Sequence, residues 1–261
     1  MNPSLIRAYL NGRSLIHSMF SERRPPTQMP DDLAAEFTLD HRIPTIRWYI
    51  NDAVSRPLKW TKRQAAANYR KVEGKRKRYY GKTDTYLYEA LEKYSIREKS
   101  VVIVGSESPW YECICTYYGA KVTTVEYRQV HCDIPGLTVL TPGEFEGQTE
   151  KFDVVLSISS IEHDGLGRYG DSLNPTGDFE AMEQFKELLK PDGTLILAVP
   201  IGSDAVVWNA HRIYGRLRLP MLLDGWNVVD SFGFREDLFD AELGRWDLQP
   251  VWVLNANGTS Q

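Results

Sequence analysis

At 261 residues the chain is one domain of ordinary size, or one domain with a substantial extension, at ~100–200 residues per domain. Its 42% hydrophobic and 25% charged residues exclude a mostly disordered, collagen-like or disulfide-scaffold protein. The net charge of −4 conceals an asymmetry: residues 1–100 hold 20 Lys and Arg against 11 Asp and Glu, and the remainder 11 against 24. The longest strongly apolar stretch, Thr194 to Ile201, is far short of the ~20 residues that cross a bilayer, and Met1 to Leu10 has no apolar signal region. Cys113, Cys115 and Cys132 form neither a disulfide framework nor a zinc motif, so a reducing, cytoplasmic setting is expected.

In chain order, the first 55 residues read as a short helix from Pro3 to Phe20, an irregular stretch interrupted by Pro25, Pro26, Pro30 and Pro44, and a short helix near Ile46 to Val54. Arg56 to Lys82 holds eleven Lys and Arg with one acid, Glu73, interleaved with Trp60, Tyr69, Tyr79 and Tyr80. It reads either as a solvated helical face or as a clamp for an anionic partner. The acidic remainder, and the lack of any recognition motif, argue against nucleic acid. Asp84 to Tyr94 has a 3.6-residue apolar period. It leads into a strand, Val101 to Val104, closed by Gly105. Strands at Lys121–Glu126, Leu137–Leu140, Phe152–Ile158 and Thr194–Val199 then alternate with helices at Trp110–Tyr118 and Asp178–Lys190, the pattern of an α/β sheet. Asp178 is the expected N-cap of its helix, and Pro191-Asp192-Gly193 the turn after it. Trp226–Ser231 and Pro250–Asn255, joined by a polar segment, read as an antiparallel pair at one sheet edge. Asn257-Gly258-Thr259 matches a glycosylation sequon only by chance.

In a doubly wound sheet, ligands bind beyond the carboxyl ends of the strands. Gly105 permits a tight turn there, Pro109 suits the first turn of the next helix, and Glu126, twenty-one positions after Gly105, is spaced to accept a ribose diol. The Gly-x-Gly-x-x-Gly run of a dinucleotide site is absent, and Glu107 would repel a pyrophosphate while favouring a cationic ligand.

Gly105 to Trp110, Thr123-Thr124-Val125-Glu126-Tyr127, Ser159 to Asp171 and Asn209 to Gly215 resemble a domain-of-unknown-function family related to class I S-adenosylmethionine-dependent methyltransferases. The resemblance covers about Val101 to Gly233. Class I enzymes usually carry an acid before a Gly-x-Gly-x-Gly loop; here Ile103 takes the acid position, and Glu107 and Pro109 stand where the second and third glycines would. The resemblance implies a Rossmann-like α/β fold with a seven-stranded sheet whose last strand is antiparallel. It also implies S-adenosylmethionine as cofactor, with the fourth strand ending beside the transferable methyl. The family's association with glycan biosynthesis makes a sugar or glycan hydroxyl the expected acceptor.

The expected organisation is an N-terminal basic, helical extension over residues 1–83, a methyltransferase-like domain over 84–255, and a flexible tail over 256–261. Gly105, Ser106, Glu107, Glu126, Ser157 and Ser159 are the expected cofactor residues. His163 is the expected general base, because its ordinary pKa of ~6.5 suits the task, with Asp164 and His211 beside it. Asp171, Arg212 and Tyr214 are the expected acceptor contacts. Alternatives are a divalent metal held by His163, Asp164, Asp171 and His211, a fold-keeping partner protein that has lost its cofactor, and an enzyme that binds a nucleotide or nucleotide sugar.

Overall fold

A computed structural model describes residues 24–53, 56–146 and 148–256. The expected helix at Pro3–Phe20 and the Asn257 sequon lie outside them. Before the main sheet come α1 (Asp31–Phe37), β1 (Thr45–Trp48), β2 (Leu58–Trp60), α2 (Lys62–Glu73) and α3 (Lys82–Lys93). The main alternation follows: β3 (Ser100–Val104), α4 (Trp110–Tyr117), β4 (Lys121–Val125), β5 (Val130–Cys132), β6 (Thr138–Leu140), α5 (Pro142–Phe145) and β7 (Phe152–Ile158). The chain ends with α6 (Gly177–Leu188), β8 (Leu189–Ala198), β9 (Ala205–Asn209), β10 (His211–Ile213), α7 (Arg218–Leu222), β11 (Trp226–Phe232) and β12 (Val251–Ala256).

The central sheet has seven strands in the order β11-β12-β8-β7-β3-β4-β6. β12 alone runs antiparallel, between β8 and β11, and all other pairings are parallel. This is the class I methyltransferase-like arrangement. Alternation along each strand divides the core into two layers. Val101 and Ile103 pack with Leu87, Leu91 and Ile114 from α3 and α4, whereas Val102 and Val155 pack with Ala181, Met182 and Phe185 from α6. Among the described residues no helix is long and apolar enough to cross a membrane.

Three expectations need correction. Residues 45–48 form a strand rather than a helix: β1 pairs in parallel with β9, which pairs antiparallel with β10 in a separate three-stranded sheet. The β-branched and aromatic side chains of Thr45, Ile46 and Trp48 suit a strand, and the partner, more than 150 residues away in the chain, supplies the ladder. Asp178 is not an N-cap, since Thr176 holds that position and Asp178 lies in the first turn, fully buried. Pro191-Asp192-Gly193 sits inside β8 as an irregularity, between the Leu189–Phe152 and Thr194–Val154 pairings, with Asp192 at φ +63°.

The basic segment packs onto the sheet domain instead of standing apart. β2 pairs with β5, and the Thr61 and Gln64 capping box starts α2, which packs on α4. Buried Asn68 of α2 donates to the Pro109 carbonyl at 2.9 Å, tying this helix to the Gly105 loop.

Candidate functional site

A cavity of about 620 Å³ opens at the carboxyl ends of β3, β4 and β7. Its floor begins at Gly105, whose φ of +77° and proximity to Ser160 both exclude a side chain: a Cβ would lie 2.2 Å from Ser160 Oγ. The Ser106 N–H donates to Glu126 Oε2 at 2.7 Å, and the Arg128 N–H donates to Glu126 Oε1 at 3.0 Å. Burial raises the Glu126 pKa against these two hydrogen bonds. Glu107 lines the same wall with an exposed side chain, its carboxylate 2.7 Å from Arg128 Nη2. Ser159, at φ +51°, donates through Oγ to Glu162 Oε1 at 2.5 Å and accepts from Gln249 Nε2 at 3.1 Å.

Ser157 is absent from this wall. Strand alternation turns it to the side of Val155 and Leu197, where it is fully buried in β7, so it does not line the expected methyl channel.

A single 3₁₀ turn, Ile161–His163, carries the next groups into the cavity. His163 Nδ1 lies 2.6 Å from the Ala210 carbonyl. A carbonyl only accepts, so Nδ1 carries the ring proton and Nε2 keeps its lone pair. Burial, then the charge of Arg168, pushes the His163 pKa well below its ordinary value, which keeps the ring neutral. Glu162 Oε1 lies 3.6 Å from that Nε2. Burial pushes Glu162 up to about 7, opposed by the Ser159 hydrogen bond. Glu162 Oε2 and His211 Nε2 are both buried without a hydrogen-bond partner among the described residues. Burial and Arg168 push His211 down to about 4.

Asp164 and Asp171 line the cavity but also build its loop. The Asp164 carbonyl accepts from Arg212 at 2.6 Å, and Asp171 accepts three main-chain N–H groups, from Gly165, Gly167 and Tyr169. Asp171 is thereby a loop-former instead of the expected acceptor contact. Arg212 and Tyr214 are corrected more strongly, because neither lines the cavity and both are fully buried. Arg212 donates to the carbonyls of Asp164, Asn174 and Pro175, and Tyr214 donates to Asp178 Oδ2 at 3.0 Å. Asp178 also takes two hydrogen bonds from Arg218. Among the described residues no three His, Cys, Asp or Glu side chains are grouped to hold a metal ion. Of the alternative ligand set, Asp171 accepts main-chain N–H groups of the loop and His163 Nδ1 faces the Ala210 carbonyl.

Sequence reasoning missed Glu162, Arg168 and Tyr169 as individual groups, although all three sit in its Ser159–Asp171 motif. It also missed Trp48 and Trp246, which reach the cavity from β1 and from the segment before β12. Trp48 meets His211 edge-on at 5.7 Å, and Trp246 lies 6.3 Å from the same ring. No local pattern marks them; the β1–β9 pairing and the return to β12 bring them in.

The family model described as Caenorhabditis protein of unknown function, DUF268, matches residues 98–245. No curated protein matches. Among solved structures, the chain is similar to the Burkholderia thailandensis 1,6-didemethyltoxoflavin-N1-methyltransferase bound to its substrate and S-adenosylhomocysteine (16% identity, 81% of this chain and 99% of that one, TM-score 0.46). It is also similar to the ribosomal protein L11 methylase of Lactobacillus delbrueckii subsp. bulgaricus (14%, 68% and 80%, 0.43). A third is the CcbJ methyltransferase of Streptomyces caelestis (11%, 67% and 90%, 0.43).

Proposed function

This chain belongs to the family described as Caenorhabditis protein of unknown function, DUF268, and we propose that it is an S-adenosylmethionine-dependent methyltransferase acting on a sugar or glycan-related hydroxyl. The carrying observation is that the carboxylates of Glu107, Glu126 and Glu162 all belong to the wall of the cavity at the carboxyl ends of the strands. S-adenosylmethionine bears a sulfonium and an ammonium, both of which such a wall attracts. The Ser106 N–H, which would cradle a phosphate, is spent on Glu126, and Pro109 has none to offer. The donor set therefore suits a cation and disfavours a pyrophosphate.

In this reading Glu126 accepts the ribose diol, Gly105, Ser106 and Glu107 surround the methionine portion, and Ser159 borders the methyl group. When bound, the cofactor supplies an electrophilic methyl carbon. The chain's own work is to align a hydroxyl with that carbon and take its proton. His163 holds Nε2 as a free lone pair because Ala210 fixes its tautomer, and Glu162 stands close enough to receive or share the proton.

Calorimetric titration with S-adenosylmethionine and S-adenosylhomocysteine, with a UDP-sugar and NAD as controls, tests the proposal. Micromolar binding of the first pair is expected, with no binding of NAD. Binding of no small molecule would replace it with the partner-protein reading, and binding of the controls alone with the nucleotide-enzyme reading.

A further inference from the structure

Part of the cavity wall is made of rings. Tyr79 lies 4.8 Å from Tyr80 and stacks on Trp246 at 6.3 Å with an interplanar angle of 26°, and Trp246 continues to His211 and Trp48. Tyr79 is 78% exposed and Trp48 46% exposed, so the ring wall extends past the mouth into solvent. Aromatic faces of this kind stack on the apolar faces of a sugar ring.

Three arginines line the same cavity, and their charge states of pairing differ. Arg128 is paired with Glu107 at 2.7 Å and Arg168 with Asp52 at 2.9 Å. Arg78, next to Tyr79, has no carboxylate within ion-pair distance of its guanidinium among the described residues. That group lies 5.4 Å from the Trp110 ring centre, and Nη1 reaches only the Asn68 side-chain carbonyl at 3.4 Å. Buried Asp84 accepts the Arg78 main-chain N–H instead. Arg76 and Lys77, which precede Arg78 in the chain, are exposed as well. An acidic floor and a cationic rim on one cavity call for a ligand that is positive or polar at depth and anionic at the entrance.

We propose that the acceptor is a sugar carrying a phosphate or pyrophosphate ester, its ring against Tyr79 and Trp246 and its phosphate on Arg78. This deepens the methyltransferase reading and rests on it. The same chemistry occurs in nucleoside-diphosphate sugars and in lipid-linked sugar pyrophosphates, and the guanidinium recognises the phosphate in both.

The test uses the full chain, first titrated with S-adenosylhomocysteine and then, in its presence, with uridine diphosphate, farnesyl pyrophosphate, inorganic pyrophosphate and glucose. At least one phosphate-bearing probe is expected to bind more than tenfold tighter than glucose, and to weaken as salt rises from about 0.05 M to about 0.3 M. Arg78→Ala is expected to weaken that probe at least ~10-fold and to leave S-adenosylhomocysteine affinity unchanged, with Arg78→Lys intermediate, since a hydrogen bond to a charged group is worth that much. Lys62→Ala, at the exposed start of α2, is the control and is expected to change nothing. Preference for uridine diphosphate assigns the nucleotide-linked source, and preference for farnesyl pyrophosphate the lipid-linked one. Glucose binding as tightly as the phosphates, no phosphate binding, or indifference to Arg78→Ala overturns the proposal. Loss of S-adenosylhomocysteine binding alone, with the Arg78-dependent phosphate site intact, instead overturns the methyltransferase reading beneath it.

Discussion

Glu162 and His163 are adjacent in the chain, and a single 3₁₀ turn sends both side chains into one cavity. A neutral imidazole beside a carboxyl pushed up to about 7 makes proton removal a property of the pair. The base must be unprotonated to act, so turnover is expected to rise with pH through about 7 and level off above it. Glu162→Gln removes the carboxyl and should abolish that limb; a limb that stays at the same pH assigns the titration elsewhere. His163→Gln should leave S-adenosylhomocysteine affinity alone and slow turnover by ~10²–10⁴, read from single-turnover methyl transfer. On the proposed reading, Glu126→Ala should weaken cofactor binding at least ~10-fold, because it removes the carboxylate assigned to the ribose diol and also frees the Ser106 and Arg128 amides. The place of Glu126 in the cavity wall was legible because strand-end position is written in the chain. Glu162 was not, because its raised pKa comes from burial that only the folded loop creates.

The loop from Ile161 to Thr176 owes its shape to an ion cluster beneath it. Asp178, on α6, is fully buried, and although burial alone would raise its pKa, Arg212 and Arg218 hold it below the ordinary carboxylate range. The same two arginines tie down the carbonyls of Asp164, Asn174 and Pro175. Asp178→Ala would strand two buried guanidinium groups and is expected to cost about 3–5 kcal/mol, measured as a lowered urea midpoint, with the 161–176 loop gaining amide exchange. An unchanged midpoint would mean that the cluster contributes nothing net. Arg212 and Tyr214 stood out in the sequence as polar groups on the ligand side of the sheet, and that position was right. Their direction was not legible, since it depends on Asp178 more than 30 residues earlier. The strands β3, β4, β7 and β8 were legible from apolar runs bounded by turns, whereas β1 was not, because four residues ladder only against a partner distant in sequence.

Buried titratable groups of opposite kind make the stability of the folded chain depend on pH in compensating ways. His163 and His211 have folded pKa values below the ~6.5 of an unfolded histidine, the latter about 4. As pH falls through that window the unfolded chain takes up protons that the fold refuses, so stability is lost toward acid. Glu112 and Glu162 are both pushed by burial to about 7, above the ~4.3 of an unfolded glutamate. Between those values the fold keeps protons that the unfolded chain has released, so stability is lost as pH rises. Glu126 and Asp84, also raised by burial, add to these, so between about pH 4.5 and 6.5 the carboxyls outnumber the two histidines, each group contributing a slope of up to ~1.4 kcal/mol per pH unit and the two kinds having opposite sign. Asp153, held at about 2 despite partial burial by Lys190 and Ser100, acts only at lower pH. The urea midpoint of the unmodified chain should therefore fall as pH rises across that range, by less than the carboxyls alone would impose. His211→Gln removes one opposing histidine and leaves the carboxyls, so its midpoint should fall more steeply from about pH 4.5 to about 6.5. A variant profile parallel to the parent's would show that His211 is protonated alike in the folded and unfolded chains.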